Sequence, residues 1–315
     1  VGSEMCIRDS YVKGYGSVVD STHVEVKAKD GSAQVLETAN IIIATGGKTR
    51  EFPGLPFNGS SVIGSREAMT LPSQPSRMVI IGAGAIGVEF AYIYNAFGTE
   101  VTLVEMMPRL VPVEDDDIGD ALRKSYSRQG IKCLTDTKVI ATEDAGDSVR
   151  VTVENSRGSE VIEADVCLVA IGVVPVLPGG QLPEFTDRGW IQIGDRYETS
   201  MGGVYAIGDI AGPPWLAHTA MYEATQCVDG IFLPEATPKR VGTFPGCTYC
   251  YPEIASVGKT ERELKEEGVA YKAGKFPYQA LGKAQAAAET EGFIKLLFGE
   301  EHGELLGAHI IGAHA

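Results

Sequence analysis

The chain has 315 residues, 27 basic and 42 acidic, for a net charge of −15. That balance speaks against nucleic acid and against an anionic membrane surface as partners. Apolar residues make up 44% and charged residues 22%, an ordinary globular composition at a length that allows about two domains.

The first ten residues, "VGSEMCIRDS", are polar and do not begin with Met. With no apolar core for a signal peptide, residues 1–10 read as an artefact of sequencing or expression. No run approaches the roughly 20 apolar residues of a membrane span, so a cytoplasmic or organellar-matrix location is expected. Residues 11–47 read as β-rich: "HVEVKAKD" alternates, "DG" turns, and "NIIIATGG" is a buried strand with a glycine exit. Residues 48–75 are rich in Pro, Gly and Ser, with a short helix at "SREAMTL". Residues 77–105 read strand, Gly turn, helix, strand. "DDDIGDALRKSYSRQG" is a helix with acids in its first turn and Gly after its end. Several strands follow, with turns at "DAGD" and "SRG", and then "LAHTAMYEATQCVDGIF" is helical. After residue 240 come "TERELKEEGV", read as a helix, and further strands. This alternation predicts an α/β fold with parallel sheets.

The turn Gly82-Ala83-Gly84-Ala85-Ile86-Gly87 follows the strand "MVII". Gly82 permits the tight turn, Gly84 lets main chain approach a pyrophosphate, and Gly87 lets the helix pack on the strand. The helix N-terminus favours phosphate. Glu105 ends the next strand, 23 positions after Gly82. This context makes the turn a dinucleotide site. A carboxylate there accepts from ribose hydroxyls and repels a 2′-phosphate; one such pair costs roughly 4 kcal/mol at ~4 Å and an effective dielectric near 20. NAD is therefore expected over NADP, with Arg109 read as a solvated loop residue.

Six cysteines are scattered, and only Cys247 and Cys250 are close, as "CTYC". A lone Cys-x-x-Cys is read as structural or incidental, and no metal is expected.

Three further strand exits stand in order around the turn: "NIIIATGG", "DVCLVAIGVVP" and "TSMGGVYAIGD". The ordered set resembles the two-dinucleotide flavoprotein disulfide reductases. That resemblance implies two Rossmann-like dinucleotide-binding domains, the NAD domain inserted in the FAD domain, plus a partial α+β dimerisation domain. The implied boundaries are 11–72 for the first FAD segment and linker, 73–195 for NAD, 196–240 for the FAD return and 241–315 for the interface. "GPPWLAHTAMYEATQCVDGI" and "YPEIASVGKTERELKEEGVAYKAGKFPY" narrow the resemblance to the dihydrolipoyl dehydrogenases. It assigns NAD contacts to Gly82, Ala83, Gly84, Ala85, Ile86, Gly87, Glu89, Glu105, Val139 and Gly172. Glu89 is placed near the nicotinamide. FAD contacts fall on Ala44, Thr45, Gly46, Gly47, Gly208, Asp209, Leu216, Ala217 and His218, with Asp209 on the ribityl chain. A homodimer is implied, with lipoyl domains of 2-oxo acid dehydrogenase or glycine-cleavage complexes as partners.

The sequence departs from the family pattern at Gly47, where Ser is usual, and at Val173 and Val176, where Arg and Asn are usual. It holds neither a Cys-x-x-x-x-Cys pair nor a His-x-His-Pro segment, so the chain is expected to be an internal fragment. A mercuric or glutathione reductase-like protein, an NADH oxidase-type flavoprotein and a non-catalytic nucleotide-binding subunit remain as alternatives.

Overall fold

The computed structural model describes residues 10–315 except 147, 234 and 241, so the expected artefact at 1–10 lies almost wholly outside the described residues. The chain divides into two compact units. One takes residues through Lys48 and Val174–Gly242; the other takes Thr49–Val173 and Thr243–Ala315.

In the second unit, apolar strands Val62–Ile63, Val166–Val169, Arg77–Ile81, Glu100–Val104 and Lys132–Leu134 form one sheet in that order, all parallel. Burial on both faces explains their nearly unbroken apolar sequence. Helix Ala85–Ala96 packs Val88, Ala91 and Tyr94 into the core. Helix Asp116–Arg128 buries Ile118, Leu122, Ser125 and Tyr126, one helical stripe. Its N-cap is Asp115, whose side chain accepts from the Asp117 N–H. An antiparallel sheet of Lys138–Asp144, Val149–Asn155 and Gly158–Ala164 lies alongside in sequence. The end of the chain forms a five-stranded antiparallel sheet, in which Gly292–Gly299 and Leu305–Gly312 are central. Cys250, Ile254, Phe293 and Ile311 from this stretch share a core with Tyr126 and Val88.

The other unit carries a four-stranded sheet built on Tyr15–Val18, His23–Lys27 and Ala33–Glu37. It also has a parallel pair, Ile41–Ile43 with Val204–Ala206, and helix Ala217–Phe232. The "NIIIATGG" strand is buried only at Ile41 and Ile43; Ile42 is 37% exposed, because the pair is a two-stranded sheet. Residues 174–195, which the segment reading gives to the NAD domain, pack here. Gly179–Gly180 pairs with Tyr15–Val18, and the Ile191 N–H donates to the Ile210 carbonyl.

One ion cluster is buried in the second unit. Lys295, 2% exposed, sets its Nζ 2.6 Å from Asp115 Oδ1, 2.9 Å from Asp117 Oδ2 and 2.5 Å from Glu261 Oε2. Asp115 Oδ2 also accepts from the Glu261 N–H at 3.1 Å. Burial opposes the charge on Asp115, but Lys295 and two main-chain donors outweigh it and hold the carboxyl below its usual range. Burial likewise opposes the charge on Lys295, and the three carboxylates reverse that, raising it above the usual lysine value. Lys295→Met would strand a buried carboxylate and is expected to cost about 3–5 kcal/mol by urea unfolding. The pair's contribution is complete between the ordinary values of 3.8 and 10.5. It fades as pH falls through the folded Asp115 value and as pH rises through the folded Lys295 value. Without Lys295, burial raises the Asp115 carboxyl in the variant, so the stability gap should be widest from neutral pH up to 10.5 and shrink on either side.

Candidate functional site

The Gly-rich turn joins strand Arg77–Ile81 to helix Ala85–Ala96, with its first N–H donating to the Val104 carbonyl at 2.8 Å. Gly82 has φ +98°, and a Cβ there would meet the Ala170 carbonyl oxygen at 2.5 Å. A Cβ on Gly87 would lie 1.9 Å from the Gly82 carbonyl oxygen. At Gly84 a Cβ would meet nothing within 4 Å. Two glycines thus permit close packing, and the middle one faces open space where a phosphate can reach main chain beside the exposed Ala85 and half-buried Ile86.

Glu105 is 9% exposed and turned into this loop. Its Oε2 accepts from the Ala83 N–H at 2.7 Å and its Oε1 from the Met107 N–H at 2.8 Å. Each oxygen keeps a second lone pair, so a ribose hydroxyl can still donate to it. Glu89, one turn into the helix, accepts from the Tyr249 N–H at 2.7 Å. Burial pushes its carboxyl up, and that hydrogen bond opposes the shift. Val139 packs its side chain into the core with Val151 and Val153, so only its main chain is left for a ligand. Gly172 has φ +113°, and its carbonyl accepts from the Arg50 N–H at 2.9 Å.

The other unit gathers the second set of residues. Ala44–Gly47 leave strand Ile41–Ile43, and Gly208–Ala211 is a single 3-10 turn after Val204–Ala206. A Cβ on Gly47 would sit 3.5 Å from Asp209 Oδ2, so the two exits meet. Burial raises the Asp209 carboxyl above its ordinary value. The Gly208 N–H donates to Glu223 Oε2 at 2.7 Å. Glu223 lies on helix Ala217–Phe232, whose N-cap is Leu216 and whose first turn holds Ala217 and His218. Thr219, 1% exposed, has its Oγ1 without a hydrogen-bond partner among the described residues. An orphaned hydroxyl beside a helix N-terminus fits a polar ligand at this end.

Residues 8–224 match the model for "Pyridine nucleotide-disulphide oxidoreductase", and residues 244–315 match the dimerisation domain of the same name. The chain belongs to the pyridine nucleotide-disulphide oxidoreductase family. Among relatives, a dihydrolipoyl dehydrogenase of Rhizobium etli is 43% identical over 87% of this chain and 58% of its own length. A leghemoglobin reductase of Glycine max is 39% identical over 97% of this chain and 60% of its own. The crystal structure of LpdA from Mycobacterium tuberculosis superposes with a TM-score of 0.85 at 25% identity, covering 96% of this chain and 67% of that one. The chain thus spans about three fifths of the length of these curated relatives. Family membership carries the fold class: α/β, with Rossmann-like nucleotide-binding domains and a dimerisation domain.

Within this family member, the described cysteines are all free. Cys247 is exposed, while burial pushes the Cys250 thiol up to about 12. Two residues that fix the site escape motif reading: Glu223, behind Gly208, and Lys295, behind Asp115. No helix of the described residues is long and apolar enough to cross a membrane. Because a methyl group at Gly87 would collide with main chain, Gly87→Ala is expected to cost about 1–3 kcal/mol or more and to abolish dinucleotide binding. Thermal unfolding and nucleotide titration of that variant check this.

Proposed function

We propose that this chain supplies the NAD site, part of the FAD site and part of the dimer interface of a dihydrolipoyl dehydrogenase. Such an enzyme passes electrons from dihydrolipoamide through a redox disulfide and FAD to NAD. The observation that carries the reading is the Gly-rich turn locked onto Glu105, in one chain with the Gly47–Asp209 exit pair. Bound FAD and NAD supply the hydride chemistry, and the protein supplies position and electrostatics.

Main chain at Gly82, Gly84 and the start of helix Ala85–Ala96 receives the NAD pyrophosphate. Glu105 accepts from the ribose hydroxyls and disfavours a 2′-phosphate, which also weighs against glutathione reductase-like enzymes that use NADPH. Glu89 sets charge near the nicotinamide, where burial keeps its carboxyl easier to protonate than usual. Asp209 accepts from a ribityl hydroxyl. The first turn at Leu216, Ala217 and His218 favours negative charge on a reduced flavin ring. Residues 244–315 contribute to a homodimer, and lipoyl domains of 2-oxo acid dehydrogenase or glycine-cleavage complexes deliver the dithiol. The working compartment is a bacterial cytoplasm or an organellar matrix.

NADH should bind tens-fold more tightly than NADPH, as expected when one ~4 Å like-charge contact is partly screened; equal affinities would sink the assignment. Asp209→Ala should lower FAD retention after gel filtration, read from flavin absorbance, with the fold unchanged by circular dichroism. The chain as sequenced, without a Cys-x-x-x-x-Cys pair, should show no dihydrolipoamide-dependent NAD reduction.

A further inference from the structure

Ala83, at the centre of the Gly-rich turn, is fully buried and held at both of its main-chain groups. Its N–H donates to Glu105, and its carbonyl accepts from the Val111 N–H at 2.7 Å. Val111 is 2% exposed and sits at φ +44°, a left-handed conformation that a β-branched residue avoids. Such a conformation persists only where its surroundings over-determine it. Part of what holds its neighbours comes from residues 243–315. The next carbonyl, on Pro112, accepts from Arg262 Nη2 at 2.9 Å. Arg262 Nη1 donates to Asp116 Oδ1 at 2.5 Å. The Glu114 N–H returns to the Val111 carbonyl at 2.9 Å, and Asp115 and Asp117 share the Lys295 ammonium. Residues 105–117 thus form a strap, with the Gly-rich turn at one end and two cations of the dimerisation-type segment at the other.

We propose that Arg262 and Lys295 are positioning residues for the Gly-rich turn, fixing through Val111 and Glu105 the main chain that faces the dinucleotide. The proposal rests on the NAD reading above and adds to it a control point outside the nucleotide domain. Neither cation touches the turn. Each removes a degree of freedom from the strap within six positions of Val111. Losing either releases Val111 from its left-handed conformation and leaves the Ala83 carbonyl without its donor.

The test uses the full chain carrying Arg262→Met, Arg262→Lys or Lys295→Met. Arg262 is the safer variant for folding, since its side chain is 39% exposed. NADH affinity is titrated by fluorescence, and amide hydrogen exchange is followed at Ala83 and Val111, with strand Arg77–Ile81 as the internal control. Both Met variants should weaken NADH binding about tenfold and speed exchange at Val111 and Ala83 by a similar factor, within the range of coupling through packed networks. Arg262→Lys should recover part of the loss, because one ammonium can still reach the Pro112 carbonyl. Affinity within about twofold of wild type, with unchanged protection at both amides, overturns the proposal even if the unfolding midpoint falls. If wild type itself binds no NADH, the NAD reading fails, and the exchange data alone decide whether the strap positions the turn.

Discussion

Two main-chain N–H groups converge on one buried carboxylate, and the Gly-rich turn of the second unit takes its shape from that meeting. Glu105 receives Ala83 on one oxygen and Met107 on the other. The first bond ties the turn to the next strand, and the second starts the chain toward Val111. A buried carboxylate that accepts from main chain on both oxygens is held rigidly, so Glu105 is a structural pin for the turn. Replacing the acid unpins Ala83.

The other unit repeats the logic with different parts. Gly208 leaves its strand in a left-handed conformation, and Glu223, from the following helix, accepts its N–H. In both places a glycine lets main chain turn where a ligand can approach, and a glutamate on a neighbouring element secures the turn from behind. The open side stays open: nothing lies within 4 Å of a Cβ on Gly84. The turn at Gly84 is thus rigid where it meets protein and bare on its open side, whereas a Cβ on Gly208 would meet Ala220 at 3.3 Å.

Much of this was legible in the sequence, for reasons that differ by element. The Gly-rich turn and its acid carry a spacing set by strand length and helix pitch, so local pattern sufficed. Helix Asp116–Arg128 announced itself through its acidic first turn and the Gly after its end. Lys295 in "GFIKLLF" belongs to no motif, yet its parity was visible. Phe293, Lys295 and Leu297 alternate on the buried face of one strand. Its partners Asp115 and Glu261 lie 180 and 34 positions away, beyond any local window. The "NIIIATGG" strand read simply as buried, since apolar runs do not report how many neighbours a strand has. In the 174–195 stretch, Gly179–Gly180 offers no pattern from which its pairing with Tyr15–Val18 could be read.

The buried cysteines have a consequence for a family defined by sulfur exchange. Burial moves Cys133, Cys167 and Cys250 to about 12 and Cys227 to about 11. A thiolate is the species that attacks a disulfide, and at neutral pH these sites hold a vanishing fraction of it. They are chemically mute bystanders. Among the described cysteines the interior ones are thus shielded from disulfide exchange, and only Cys247 is exposed.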